Sequence, residues 1–318
     1  MGTNCIIDCA AAVGYIAFHH WGTIVPSARQ RYFLLSAALV VSNSLFAQTT
    51  TDEPSFRFLP GRTSFNPLTA NYVEPRVGLR KEIATSRLKL DIGSTFDLLE
   101  YAFTDSRMKT IRLGVDFFTY ALTTNAEGLR LQVDAVDGIF GGHVVYQDIK
   151  PQATLSVRLR LLHLSAHFVD GHFNTMSRGW TDGRPPIPYT RDFGELTCSY
   201  SWNVEGATVR LYSGISYATL VRPVEIKRFG SIHGVEFHTA LGSALGNPFI
   251  IFLADNLTLA GVPTYVGTNN LEFGVKFGGW NDRGVKVFLS HYGGMEIFSQ
   301  YYNVRRDQWG VGFSLDVW

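Results

Sequence analysis

LEFGVKFG (Leu271–Gly278) and WGVGFSLDV (Trp309–Val317) carry the pattern that decides the fold. In the first, Leu271, Phe273, Val275 and Phe277 alternate with Glu272, Gly274, Lys276 and Gly278. In the second, Trp309, Val311, Phe313, Leu315 and Val317 alternate with Gly310, Gly312, Ser314 and Asp316. The same phase runs through Leu88–Gly93, Ile111–Phe117 and Leu129–Ala135, so it holds from about Leu88 to the last residue. Successive side chains of a strand point to opposite faces, so each stretch has one apolar face and one wet face. The wet face carries Arg, Lys, Asp and Glu, and the repetition follows an export signal. Together these features predict an all-β chain, a transmembrane antiparallel up-and-down β-barrel of about twelve strands. A secreted β-sandwich would also alternate, but it usually hides its aromatics and ends in a polar tail. This chain ends on Trp318, one step out of phase with Leu315 and Val317.

Composition narrows the class further. Lys and Arg total 28 against 27 Asp and Glu, a net charge of +1, so the basic excess that nucleic-acid binding needs is missing. After the export signal no window is apolar for the roughly 18 residues of a spanning helix. Aromatic residues make up 14% of the chain, as interfacial girdles would require.

The export signal sits in an unusual place. Arg29 and Arg31 form a charged region, Tyr32–Phe46 an apolar one, and Ala47 precedes a cleavage position at Gln48. Residues 1–47 therefore read as a spurious N-terminal extension plus signal peptide, with an uncleaved anchor as the alternative. Residues 48–73 read as a polar segment that crosses the periplasmic side or tucks into the barrel mouth, and residues 74–318 as the barrel. The expected location is the bacterial outer membrane after Sec-type export. Cys5 and Cys9 fall in the leader and Cys198 stands alone beyond it; no Cys/His cluster has zinc spacing, and no cofactor is expected.

Strand-like stretches run from Pro75–Glu82 to Gln308–Trp318, thirteen in all, whereas single-chain bacterial barrels have an even number. Either Pro75–Glu82 or Gly142–Asp148 is therefore part of a neighbour or outside the barrel. Glu205-Gly206 and Asn281–Gly284 read as tight turns, and Asn174–Asp192 and Asn256–Thr268 as long loops.

With the apolar phase facing lipid, the lumen collects Arg87, Lys89, Asp91, Arg112, Asp116, Arg130, Asp134, Arg158, Arg160, Arg210, Glu236, Glu272, Lys276 and Lys286. Two readings stay open. In one, charges of both signs pair across a narrow lumen and fix its cross-section. In the other, they line a polar path for a small solute, biased by arginine towards anions. The partners expected are outer-membrane lipid and lipopolysaccharide, with the barrel-assembly machinery during insertion, and the chain is expected to be a monomer.

One stretch could carry chemistry. In RLRLLHLSAHFVDGHF (Arg158–Phe173), His163, Ser165 and His167 share one strand face, and Asp170 and His172 follow. A serine beside an imidazole that is oriented by a carboxylate or amide is an acyl-transfer nucleophile. The three residues share parity with Leu155, Val157, Leu159 and Leu161, so without a bulge they continue the lipid-facing row; a bulge would turn them inward beside Arg158 and Arg160. Interfacial polar residues without catalysis are the plainer alternative.

The His-x-Ser pattern resembles two families of outer-membrane lipid hydrolases, the phospholipase A type and the lipid A deacylase type. That resemblance implies Ser165 as nucleophile, His163 as base, and an orienting residue for which Asp170, Asn174 and Glu195 are candidates. The chain as a whole resembles an uncharacterised bacterial family of predicted outer-membrane barrels. The resemblance is carried by FNPLTANYVEPRVGL (Phe65–Leu79), RLRLLHLSAHFVD (Arg158–Asp170), LTCSYSW (Leu196–Trp202) with VRLYSGISY (Val209–Tyr217), and His291–Phe313. It implies a fold and a location and no activity. The functional expectation is thus an envelope or transport-type barrel with a narrow charge-lined lumen, with a serine lipid-ester hydrolase as the alternative.

Overall fold

The computed structural model describes residues 53–104, 107–126, 130–167, 173–174, 176–180, 183, 185–244 and 246–317, with the side chains of 125, 126 and 130 outside the description. Residues 1–47, expected to be a leader and export signal, therefore lie outside it, as do Asp170, His172 and Trp318.

Twelve strands form the barrel: β1 (Val77–Glu82), β2 (Leu88–Ala102), β3 (Lys109–Ala126), β4 (Arg130–Lys150), β5 (Ala153–His167), β6 (Thr190–Val204), β7 (Ala207–Arg222), β8 (Phe229–Ala244), β9 (Asn247–Gly261), β10 (Tyr265–Phe277), β11 (Gly284–Met295) and β12 (Arg305–Asp316). Each pairs antiparallel with its sequence neighbour, and β12 closes on β1 through Gly310↔Glu82 to Leu315↔Val77. The chain is a closed twelve-stranded transmembrane barrel, with an extra short strand, Ser55–Phe58, added along Leu99–Ala102 of β2. Closure leaves the barrel no open edge for another chain to pair with.

The surplus strand has a physical explanation. Residues 130–136 and Gly142–Asp148 are two halves of β4, 21 residues long. Gly138, Gly141 and Gly142 interrupt the apolar rhythm without interrupting the ladder. At Gly141 a side chain would collide with the Leu161 carbonyl of β5, so this contact between strands requires glycine.

The parity expected from sequence sets the two faces. Phe117, Leu161, Phe96, Phe140 and Phe273 all stand out on the exterior, while Arg158, Arg160, Glu195, Glu272 and Lys276 are buried inside. A surface this apolar needs an apolar solvent, and acyl chains supply one. The two-residue connections 151–152, 205–206 and 245–246 all lie at one end, with 103–108 and 278–283. At Glu205-Gly206 both residues have positive φ (48° and 88°), the primed turn that matches strand twist. The longest connection, 168–189, is at the opposite end.

One expected loop is not a loop. Asn256–Thr268 belongs mostly to β9 and β10, joined by a turn at 262–264. Its Asn and Thr residues read as loop composition, yet they sit in register across the ladder; Asn256 and Thr268 are buried in the lumen.

Candidate functional site

The lumen is built around the N-terminal segment. Between the short strand at Ser55–Phe58 and β1, the chain turns inward and buries Ser64, Phe65, Leu68, Thr69, Ala70, Asn71 and Glu74. It is held by the residues that the alternation turns inward. Arg158 donates to Glu74 through two nitrogens, at 3.0 and 2.5 Å. Arg160, with no exposed surface, lies 3.3 Å from Glu74 and 2.7 Å from Glu195. Arg76 pairs with Glu272 at 3.0 Å, Asn270 Nδ2 donates to the Ala70 carbonyl at 2.6 Å, and the Thr69 N–H donates to Glu236 at 2.6 Å. Phe65 is flanked by the guanidinium groups of Arg158 and Arg210, 4.1 and 4.7 Å from its ring centroid.

The remaining inward charges are also partnered. Arg87 bridges Glu82 and Glu296; Lys89 pairs with Asp91; Arg112 pairs with Asp97 at 2.9 Å and Glu100 at 2.6 Å. Lys276 pairs with Asp316 at 2.5 Å, and Asp134 accepts from Thr124 at 2.8 Å. Arg130 opens β4, and its side chain is outside the description. Asp116 meets His143 Nδ1 at 3.0 Å, and His143 Nε2 meets Asp97 at 3.0 Å. A carboxylate thus faces each ring nitrogen of His143. Sequence reading passed over His143 because a lone histidine in Gly141–Tyr146 breaks no pattern.

The other end of the lumen is closed differently. The connection after β11 folds into the mouth, with a short 3₁₀ turn at Ser299–Tyr301. Its Ile297, Phe298, Tyr301 and Tyr302 pack with Phe118, Tyr120, Leu122, Ile139, Leu162 and Phe193, and Tyr72 of the N-terminal segment reaches the same cluster. Asp137, fully buried, accepts from the Ser299 N–H at 2.9 Å and its hydroxyl at 2.7 Å. At the rim, outside the strands, Tyr302 donates to Glu225 at 2.7 Å. Burial and that carboxylate push the Tyr302 phenol up to about 12, and the same bond holds the Glu225 carboxyl below its usual range.

His163, Ser165 and His167 point outward on β5, continuing the lipid-facing row without a bulge. Ser165 and His163 are not hydrogen-bonded to each other: Ser165 Oγ lies 2.8 Å from His167 Nε2, and His163 Nδ1 lies 2.5 Å from Asp192 Oδ1. Asp192 is the cross-strand partner of His163 on β6, and the Phe140 ring of β4 lies 5.0 Å from the imidazole. Asp170 lies outside the described residues, Glu195 is committed to Arg160 in the lumen, and Asn174 caps its own loop through the Met176 and Ser177 N–H groups. Asp192 was overlooked because it sits 29 positions away, across the longest connection. A second outward cluster was also missed: His233 lies 3.0 Å from Ser213 and 3.1 Å from Ser231, and its only sequence signal is Ser231-x-His233.

No family model and no curated protein matches the chain. Among solved structures it is similar to OmpT, an outer membrane protein of Vibrio cholerae. The in-vitro folded trimer form is 11% identical at TM-score 0.35, with 83% of this chain and 99% of that one covered. The outer-membrane expressed form is 8% identical at TM-score 0.33, with 84% and 99% covered.

Proposed function

We propose that this chain is a barrel of the bacterial outer membrane that is sealed at rest, with an envelope role in which the lumen is a fixed scaffold rather than an open solute path. The observation that carries the reading is Glu74, held in the lumen by Arg158 and Arg160. A free-diffusion pore would leave its arginines to water. Here they are neutralised by a segment of the same chain, and buried pairs of this kind are costly to separate. The mixed signs foreseen in sequence then serve cross-bracing. The lipid-facing exterior makes acyl chains and lipopolysaccharide the natural surroundings, the barrel-assembly machinery the route of insertion, and a monomer the working unit. Conductance in planar bilayers tests this reading: purified protein is expected to show no steady channel, and a steady open conductance would defeat it.

A second reading is favoured by the outward polar row on β5. An ester carbonyl of a membrane lipid would meet Ser165 at the end of the barrel that carries the long loop. Ser165 Oγ attacks the carbonyl carbon while its proton passes to His167 Nε2. The tetrahedral intermediate collapses, the proton returns to the departing alcohol, and water then releases the acyl group by the same relay. His163, oriented by Asp192, is the other imidazole in reach of the row. Phospholipid and lipid A in mixed micelles are the substrates to offer. Turnover abolished in Ser165→Ala, and lowered more in His167→Ala than in His163→Ala, supports this reading; no turnover by the wild type ends it.

A further inference from the structure

The N-terminal segment does not fill the short-turn end of the lumen. A cavity of about 510 Å³ remains there, between residues 62–66 and the inner wall from β3 to β8, bordered by the turn at Pro151-Gln152 and by Trp280 and Asn281. That volume falls within the ~300–1,000 Å³ of small-molecule sites.

Its lining has a definite chemistry. One part is hydroxyl and amide: Gln147, Ser156, Ser199, Ser201, Asn203 and Thr208. Another is cationic: Arg62, Arg112, Lys150 and Arg210. No carboxylate stands among the described lining residues, although Asp97 and Glu100 pair with Arg112, Glu236 with Arg210, and Asp282 with Arg62. Two lining donors, Ser64 Oγ and Arg112 Nε, are buried and have no hydrogen-bond partner among the described residues. Both atoms lie beneath the wall with essentially no accessible surface, so contact with a ligand falls to the hydroxyl, amide and cationic groups around them. Lys150 is the one lining cation without an ion-pair partner among the described residues, so the wall presents hydroxyl and amide groups beside an uncommitted positive charge.

We propose that this vestibule binds a small anionic saccharide, one or two sugar rings bearing a carboxylate or a phosphate. The hydroxyl and amide wall exchanges hydrogen bonds with ring hydroxyl groups, which both donate and accept. The anionic group takes charge-assisted bonds from the cationic part, stronger than neutral ones and therefore the main source of selectivity. Placed at the end with short turns, the site faces the periplasm, the side on which outer-membrane barrels carry their tight turns.

The test is calorimetric titration of the full chain in detergent with glucuronate, glucose 6-phosphate, glucose and inorganic phosphate. Glucuronate or glucose 6-phosphate is expected to bind at least about tenfold more tightly than glucose or inorganic phosphate. Lys150→Gln, at an exposed strand end, and Ser201→Val are each expected to weaken that binding about tenfold with an unchanged midpoint of thermal unfolding. Equal binding of glucose would remove the anionic requirement, and equal binding of inorganic phosphate would remove the saccharide. No heat from either sugar acid at ~10 mM, or full affinity in both variants, would remove the site.

Discussion

The two ends of the lumen are shut by opposite means. At the short-turn end the N-terminal segment is held by directional charge: Glu74 on Arg158 and Arg160, Arg76 on Glu272, Phe65 between two guanidinium groups. At the other end the loop of residues 296–304 is held by area: Ile297, Phe298, Tyr301 and Tyr302 are buried against apolar side chains of four strands, with Asp137 as one polar pin. Ionic closure specifies one arrangement, because moving either partner leaves a buried charge alone. Hydrophobic closure tolerates repacking and loses energy in proportion to what is removed. The contrast therefore predicts brittle behaviour below and graded behaviour above.

The largest effect is expected at Glu74. Glu74→Ala leaves Arg158 and Arg160 to share the single carboxylate of Glu195, and removing one partner of a buried pair typically costs about 3–5 kcal/mol. The heat-modifiability midpoint on gels should fall steeply, and bilayer recordings should show intermittent conductance only if the cap is loosened too. A graded loss comes next. Phe298→Ala should cost about 3 kcal/mol, and Phe298→Leu clearly less, read by the same midpoint. If Phe298→Leu costs as much as alanine, the cap is not held by area.

Asp137→Asn comes third. It keeps an acceptor for Ser299 but loses the charge-assisted component, for about 1–2 kcal/mol, and should appear as faster hydrogen exchange at Ser299. The smallest effect is a matter of pH. The Glu225 carboxyl is held low by Tyr302, so its contribution is present above its unfolded pKa and is lost as pH falls below the usual carboxylate range. Proteolysis of the rim loops should quicken there in wild type but show no pH step in Glu225→Gln.

Much of this was legible. The period of two set the strands and their lumen-facing parity, because parity follows from the pleat alone; for His163, Ser165 and His167 it left an outward and a bulged, inward reading open, and the unbulged ladder decides for outward. Strand ends at the loop rim were read short. β9 continues to Gly261 rather than giving way to a loop at Asn256, because Asp255 and Asn256 put polar groups on both faces. The N-terminal segment carries no period, so nothing local announced that Glu74 would travel to Arg158, 84 positions away. Asp192 escaped for the same reason. Pairings across the lumen, or between strands separated by a long connection, are properties of closure and have no local signature.

The strand that continues the N-terminal segment is the shortest in the wall. Val77 follows Arg76 directly, and β1 meets β12 over the six residues Val77–Glu82 and β2 over Gly78–Lys81. A force drawing the inner segment outward is thus delivered in line to the least-stitched seam of the cylinder. Stopper and seam answer to the same tug, so emptying the bore and parting the wall are mechanically one event.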